Sequence, residues 1–84
     1  MKRNLEIIKT HWLNKKAYLE DNQGNTGYGI IKNIEYKIFP DTNFPNNANV
    51  KILFSILELD DNNNPTDNLQ DIVFEIETLR IKPI

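Results

Sequence analysis

Three stretches of this 84-residue chain alternate apolar and polar side chains with a period of two. They are "GYGIIKNIEYKI" (27–38), "VKILFSILEL" (50–59) and "DIVFEIE" (71–77). Alternation at this period is typical of a β-strand with one buried face. Weaker strand signals come from "KKAYLED" (15–21) and from the closing "LRIKPI" (79–84). The sequence therefore predicts a mainly β fold of about five antiparallel strands.

The alternation also assigns a direction to the apolar side chains. In the first long strand, the face that we expect to be buried carries five of them: Tyr28, Ile30, Ile34, Tyr36 and Ile38. In the later strands, the face that should point outward is also apolar: Leu53, Leu57, Leu59 and Val73. Apolar groups on an outer face imply either a covering helix, formed by residues 4–12, or a protein interface, and the sequence leaves both open.

The amino-terminal segment carries a helical pattern, because Leu5, Ile8 and Trp12 recur at helical spacing. We expect residues 1–12 to form a short helix, although the same residues also fit an irregular lead-in. Residues 13–84 then form the β-barrel of a single domain. A chain of this length can bury one core and is too short for a core with a deep substrate cleft.

Three glycines fall within six residues of the segment "QGNTGYGIIKNIEY" (23–36). A dinucleotide-binding phosphate loop needs the order G-x-G-x-x-G and a helix that follows it. Here the order is G-x-x-G-x-G and a predicted strand follows, so the context excludes a nucleotide site. We expect the glycines to turn the chain between the first two strands, and Gly29 to mark a bulge or a close backbone approach.

The turns and strands follow one another in a particular order. A lysine-rich strand "NKKAYLED" (14–21) precedes the glycine turn and the long strand, and a strand that ends in an acidic turn comes next. In "DIVFEIETLRI" (71–81), "ETL" takes the place of a one-turn 3₁₀ segment before the last strand. Over residues 13–84 this order resembles that of SH3-like small barrels. The resemblance implies a single SH3-like barrel and a binding role, since such barrels usually serve as interaction modules.

Residues that could carry out catalysis are scarce. His11 is the only histidine, and the chain has no cysteine. A two-histidine or thiolate metal site, a disulfide and a Ser-His-Asp triad therefore lack the residues they need. The hydroxyl residues show no nucleophile-elbow context. We expect no enzymatic activity, no bound metal and no cofactor.

Charge is divided unevenly along the chain, with a balance of +3 over residues 1–37 and −5 over residues 38–84. A surface field of one sign favours encounter with a partner of the opposite sign. The amino terminus lacks the unbroken apolar run of a signal peptide, and no stretch approaches the length of a membrane span. We therefore expect a cytoplasmic protein with no membrane partner.

Two classes of binding function follow from these features. The acidic overall balance favours a non-catalytic protein-binding module, which regulates or inhibits a larger protein with a basic surface, such as one that handles nucleic acid, or forms a homodimer. Its predicted contact residues are apolar anchors with an acidic rim: Phe39, Phe44, Leu53, Leu57, Asp60 and Asp61. The alternative is a nucleic-acid-binding barrel that uses the basic amino-terminal half: Lys2, Arg3, Trp12, Lys15, Lys16 and Lys32.

Overall fold

The computed structural model describes residues 5–40 and 48–84. These residues form one helix and five strands: α1 (Leu5–Trp12), β1 (Lys16–Glu20), β2 (Thr26–Pro40), β3 (Ala48–Leu59), β4 (Pro65–Phe74) and β5 (Arg80–Pro83). Paired strands are antiparallel, in the order β4-β3-β2-β1-β5. The predicted mainly β fold with a short amino-terminal helix is confirmed. Within the described residues β4 and β5 are the edges of the sheet and do not pair, so the closed barrel stays a prediction.

One face of the sheet and the helix α1 enclose the hydrophobic core. Ile8 is the buried residue of α1, and Leu5 and Trp12 pack beside the core, so the helical spacing in the sequence marks the face that contacts the sheet. Phe54 and Phe74 meet edge to face with their ring centroids 5.7 Å apart, a favoured aromatic geometry. The other core residues are Ala17, Leu19, Ile31, Ile34, Ile52, Ile56, Ile76 and Leu79.

A bulge in β2 changes which side chains face the core. The register of β2 against β3 shifts between Ile31 and Asn33. Before the bulge the buried positions have odd numbers, whereas beyond it Ile34 is buried. The prediction of one uninterrupted buried face is therefore wrong for Tyr28 and Ile30, because the extra residue of a bulge exchanges the two faces of a strand.

Two glycines have the roles that the sequence predicts for them. Gly24 lies in the turn between β1 and β2 with a φ of +84°, a left-handed conformation that costs glycine little. Gly29 has a φ of +154°, and a Cβ atom at this position would collide with the carbonyl oxygen of Leu57. The predicted close approach of two backbones is thus confirmed at Gly29.

Strand β4 begins earlier than the alternation predicts. The sequence indicates a strand over residues 71–77, whereas β4 spans Pro65–Phe74 and a turn at residues 76–78 leads into β5. The added residues 65–70 are mostly exposed and polar. An edge strand with one paired neighbour tolerates such side chains, and for this reason they give no strand signal in the sequence.

Candidate functional site

The carboxyl-terminal part of β2 and the amino-terminal part of β3 continue beyond their neighbours in the sheet. β1 pairs with β2 only as far as Ile30, and β4 pairs with β3 only from Ile52 onward. Residues 36–40 and 48–51 therefore form a two-stranded ribbon that has no further strand on either side within the described part of the chain. We refer to this ribbon as the arm.

Large apolar side chains are exposed on both faces of the arm. Ile38 is 67% exposed, Phe39 43% and Tyr36 37%. Tyr36 and Ile38 lie on the same face as the core residue Ile34, and Phe39 lies on the opposite face. A ribbon of two strands has no second layer to bury these groups, so they remain in contact with water.

Charged side chains surround Phe39 on its face of the arm. Lys51 Nζ lies 5.7 Å from the centroid of the Phe39 ring and 3.0 Å from Glu75 Oε1. On β2, the strand that carries Phe39, Lys37 Nζ lies 3.5 Å from Glu35 Oε1. Exposed ion pairs of this kind contribute little to stability. Their main effect is therefore on the pattern of charges that this surface presents to a partner protein.

The predicted apolar anchors differ in how accessible they are. Phe39 is exposed on the arm, Leu57 is half-buried and Leu53 is only 8% exposed. The helix α1 does not cover the outer leucines, because it packs on the opposite face of the sheet with Phe54. Leu53 therefore offers no exposed anchor, although α1 does not cover it. Phe44 lies outside the described residues.

The predicted acidic rim lies far from the arm. Asp60 and Asp61 follow the last residue of β3, whereas Phe39 pairs with Asn49 near its first residue. At about 3.3 Å per strand residue, the two sites are roughly 35 Å apart. Asp60 Oδ1 also accepts hydrogen bonds within its own turn from the amides of Asn62 at 2.8 Å and Asn64 at 2.9 Å. These acids therefore do not border Phe39.

The turn between β1 and β2 has the same hydrogen-bond pattern, but its aspartate is buried. Asp21 is 7% exposed, and its Oδ1 accepts hydrogen bonds from the amides of Gln23 and Asn25, each at 3.0 Å. Its Oδ2 accepts from Asn25 Nδ2 at 2.9 Å and from the amide of Glu75 at 2.8 Å. Burial raises the pKa of Asp21, but these hydrogen bonds outweigh burial and hold the pKa below its ordinary value. Asp21 thus ties the turn to the end of β4.

The predicted nucleic-acid-binding residues are spread over the surface and are partly engaged elsewhere. Trp12 is half-buried against the core. Lys16 Nζ donates a hydrogen bond to the carbonyl oxygen of Asn63 at 2.7 Å, and Lys32 Nζ donates one to Asn14 Oδ1 at 3.1 Å. Lys2 and Arg3 lie outside the described residues. The structure therefore does not bring Trp12, Lys16 and Lys32 together into one basic, aromatic surface.

His11 and Lys15 line an open groove of about 380 Å³ beside α1 with Glu6, Ile7 and Thr10. The Thr10 hydroxyl donates to the carbonyl oxygen of Glu6 at 2.8 Å, and the His11 ring meets Trp12 edge to face at 4.8 Å. Across residues 5–40 and 48–84, no three His, Asp or Glu side chains are grouped so that they could hold a metal ion. The groove thus combines a carboxylate, a hydroxyl and two basic groups with a single exposed apolar side chain.

Comparisons with known proteins assign no function to this chain, so the proposal below rests on the geometry of the described residues. The chain matches no protein-family model, no curated protein and no solved structure. The one helix among the described residues falls well short of the length that a membrane crossing requires. The arm has the largest group of adjacent exposed apolar side chains in those residues, and we therefore take it as the candidate site.

Sequence reasoning assigned Tyr36 and Ile38 to the core, and so it missed two residues of the arm. Their face is the one that the alternation predicts, but neither β1 nor β4 extends far enough to flank the arm. The lengths of the alternating segments in the sequence indicate that the second strand extends past the first. The predicted second strand spans residues 27–38, whereas the run before it spans only residues 15–21. In an antiparallel pair, the longer strand must extend past the shorter one.

Proposed function

We propose that this protein is a small, cytoplasmic, non-catalytic protein-binding module that contacts its partner through the arm and regulates or inhibits it. The proposal rests on the exposure of Tyr36, Ile38 and Phe39, which lie within four residues of one strand. Burial of a large apolar side chain contributes about 1.5 to 3 kcal/mol. Adjacent exposed groups of this size are typical of interaction sites, because a monomer gains nothing from keeping them in water.

The charge distribution favours a partner with a basic surface. Residues 38–84 carry a balance of −5, and this segment supplies β3, β4 and the turn between them. An acidic surface steers a basic partner toward the module and affects the association rate more than the affinity. A larger protein that binds nucleic acid has such a basic surface, and we propose this class as the target.

The binding role agrees with the architecture that we propose, an SH3-like barrel. Strands β1 to β4 follow one another as hairpins, and β5 returns to pair with β1 on its other side. A turn at residues 76–78 comes directly before β5, where SH3-like barrels have their one-turn segment. The strand order and this turn both support the assignment.

Affinity capture from the host cell with matched variants tests the proposed function. The wild-type chain, the Ile38→Ser variant and the Leu69→Ser variant serve as baits, and the retained proteins are quantified by mass spectrometry. Ile38 and Leu69 are both exposed, at 67% and 54%, but Leu69 lies on β4 outside the arm. We expect a protein that wild type and Leu69→Ser retain equally and that Ile38→Ser loses.

Two outcomes of this capture would contradict the proposal. If Ile38→Ser retains the same proteins as wild type, the arm is not the contact surface. If the retained material is nucleic acid that nuclease treatment removes, the nucleic-acid-binding alternative with Lys15, Lys16 and Lys32 replaces the proposal. In that case, retention should fall steeply with salt, because counterion release dominates such binding.

A further inference from the structure

A recess of about 230 Å³ lies where β2 and β3 separate, close to the turn between β3 and β4. The pairing of β2 with β3 ends at Gly29 and Glu58, whereas residues 26–28 of β2 continue their pairing with β1. Sites for small-molecule ligands usually measure about 300 to 1,000 Å³. The recess is smaller than these sites and has the size for a single side chain.

Two tyrosines, one carboxylate and apolar side chains line this recess. Tyr18 and Tyr28 lie directly opposite each other on β1 and β2, so both rings are on the same face of that hairpin. Leu59 and Ile72 contribute apolar surface, and Glu58 is the one charged residue among the described residues of the lining. The face of an aromatic ring attracts a cation. The lining therefore matches a side chain with an apolar stem and a positively charged head group.

Hydrogen bonds hold two polar side chains of the recess in place. The Tyr28 hydroxyl donates to Asn63 Oδ1 at 2.7 Å, and Asn68 Nδ2 donates to Glu58 Oε2. A carboxylate has acceptor sites for several hydrogen bonds, so the bond from Asn68 leaves capacity for a ligand. Side chains that are fixed before binding lose less conformational freedom when a ligand arrives. The recess is therefore preorganised.

The charges around the recess also favour a cation. The segment 58–67 carries four acidic residues and no basic one. The basic side chains of β1 and β5 contact acceptors of their own. Lys16 Nζ donates to a carbonyl oxygen of the β3–β4 turn at 2.7 Å, and Arg80 and Lys82 lie 3.8 and 3.9 Å from Glu20 Oε1. A surface field of negative sign attracts a basic group of a partner.

We propose that this recess is a binding site for one basic side chain, arginine or lysine, of a partner protein. The charged head group contacts Glu58 and the Tyr28 ring, and the stem packs on Leu59. Asp60 and Asp61 come directly after Leu59, so the acidic residues that the sequence predicts as a rim lie beside this recess. The recess lies toward the opposite end of β2 from the arm. It therefore adds a second contact site to the proposed function and can be tested apart from it.

Titration of the chain with blocked amino acids, followed by NMR of the backbone amides, tests the ligand class. The probes are the Nα-acetyl amides of arginine, lysine, norleucine and glutamic acid, and norleucine is the neutral control that keeps the stem of lysine. We expect the arginine and lysine probes to shift the resonances of Gly27, Glu58 and Gln70 with dissociation constants of about 1 to 30 mM. The norleucine probe should bind at least about fivefold more weakly, and the glutamic acid probe should cause no shift. Equal binding of norleucine, or no shift with any probe at about 100 mM, would overturn the proposal.

Two matched substitutions test the role of the carboxylate. Glu58→Gln removes the charge that lines the recess, and Asp61→Asn removes the same charge from the neighbouring turn. The lysine probe should bind Glu58→Gln about fivefold more weakly than wild type, and its affinity for Asp61→Asn should stay within about twofold of wild type. Equal losses would show diffuse attraction to the acidic turn and would overturn the site.

Two substitutions of Tyr28 separate its ring from its hydroxyl. Tyr28→Phe keeps the ring and loses the bond to Asn63, so its affinity for the probe should stay within about twofold of wild type, whereas Tyr28→Leu should bind about threefold to fivefold more weakly. Circular dichroism checks that all variants remain folded. Equal weakening in both variants would overturn the contact between the cation and the ring. Failure of these probes leaves the proposed function intact if Ile38→Ser still loses its captured protein, and binding of the probes without a captured protein overturns the role of the arm alone.

Discussion

The two ends of the β2–β3 hairpin share one alternating pattern and differ in their surroundings. At one end, β1 flanks residues 26–30 of β2, β4 flanks residues 52–59 of β3, and α1 packs on the core face of the sheet. At the other end, the arm has neither neighbour. Ile34 is fully buried and Ile38 is 67% exposed, although they lie four residues apart on the same face of one strand. Ile34 pairs with Phe54, which β4 flanks, whereas Ile38 pairs with Val50, which lies beyond the end of β4. Burial in this sheet therefore depends on the surrounding elements as much as on the side chain.

Because of this difference, we expect the packed end to provide stability and the arm to provide binding. The packed end contains Phe54, Ile34 and the two aspartate turns, and we expect it to supply most of the free energy of folding. The arm is held by its own ladder of hydrogen bonds and by Lys51 over Phe39. Substitutions in the arm should therefore change association while leaving the fold intact.

Replacement of one phenylalanine at each end should give the largest contrast. Phe54→Ala removes a fully buried ring that packs on Phe74 and should lower the free energy of unfolding by about 3 to 5 kcal/mol. Phe39→Ala removes an exposed ring near Lys51 and should cost no more than about 1 kcal/mol. Urea denaturation of both variants measures the difference. Equal losses at the two positions would mean that the arm is part of the folding core.

Substitutions in the two aspartate turns of the packed end should differ less in their effect on the free energy of unfolding. Asp21→Asn keeps one acceptor oxygen but places an amide donor where Oδ2 accepts from Asn25 and Glu75, and should cost about 1 to 3 kcal/mol at neutral pH. Asp60→Asn keeps the acceptor at Oδ1 in an exposed turn and should cost less than about 1 kcal/mol. Urea denaturation at pH 7 compares the two variants.

The pH dependence of the Asp21 effect follows from its lowered pKa. A carboxyl whose pKa is lower in the folded state stabilises the fold fully above its unfolded pKa of about 3.9, and the contribution is lost as the pH falls through the folded pKa. The stability difference between wild type and Asp21→Asn should therefore be constant near neutral pH and shrink below about pH 4. A difference that stays constant down to pH 2, or grows on acidification, would contradict the assigned hydrogen bonds.

The sequence predicts those features that depend on local pattern. The helical spacing of Leu5, Ile8 and Trp12 marks the packed face of α1. Pro83, which has no N–H to donate to a ladder, falls on the edge strand β5. The sequence does not reveal the bulge between Ile31 and Asn33, because apolar residues occupy both odd-numbered and even-numbered positions around it. The alternation therefore does not show where the buried face of the strand changes.

The candidate site is less predictable than the fold because exposure depends on distant residues. Phe39 is exposed, whereas its place next to a proline at the end of the run left its burial open. Ile38 has the same hydrophobicity as Ile34, but β4 flanks Phe54, the partner of Ile34, and does not reach Val50, the partner of Ile38. Leu53 shows the opposite case, since it is buried on a face that the pattern directs outward.

Residue-resolved amide hydrogen exchange of the dilute protein tests the division of the hairpin most directly. Exchange reports local opening separately from global unfolding. We expect amides near Phe54 and Ile56 to exchange only through global unfolding, whereas those of Lys37 to Phe39 should exchange orders of magnitude faster. Uniform protection along β2 and β3 in the dilute protein would contradict the claim that the packed end of this hairpin stabilises the fold while the arm is held only by its own ladder.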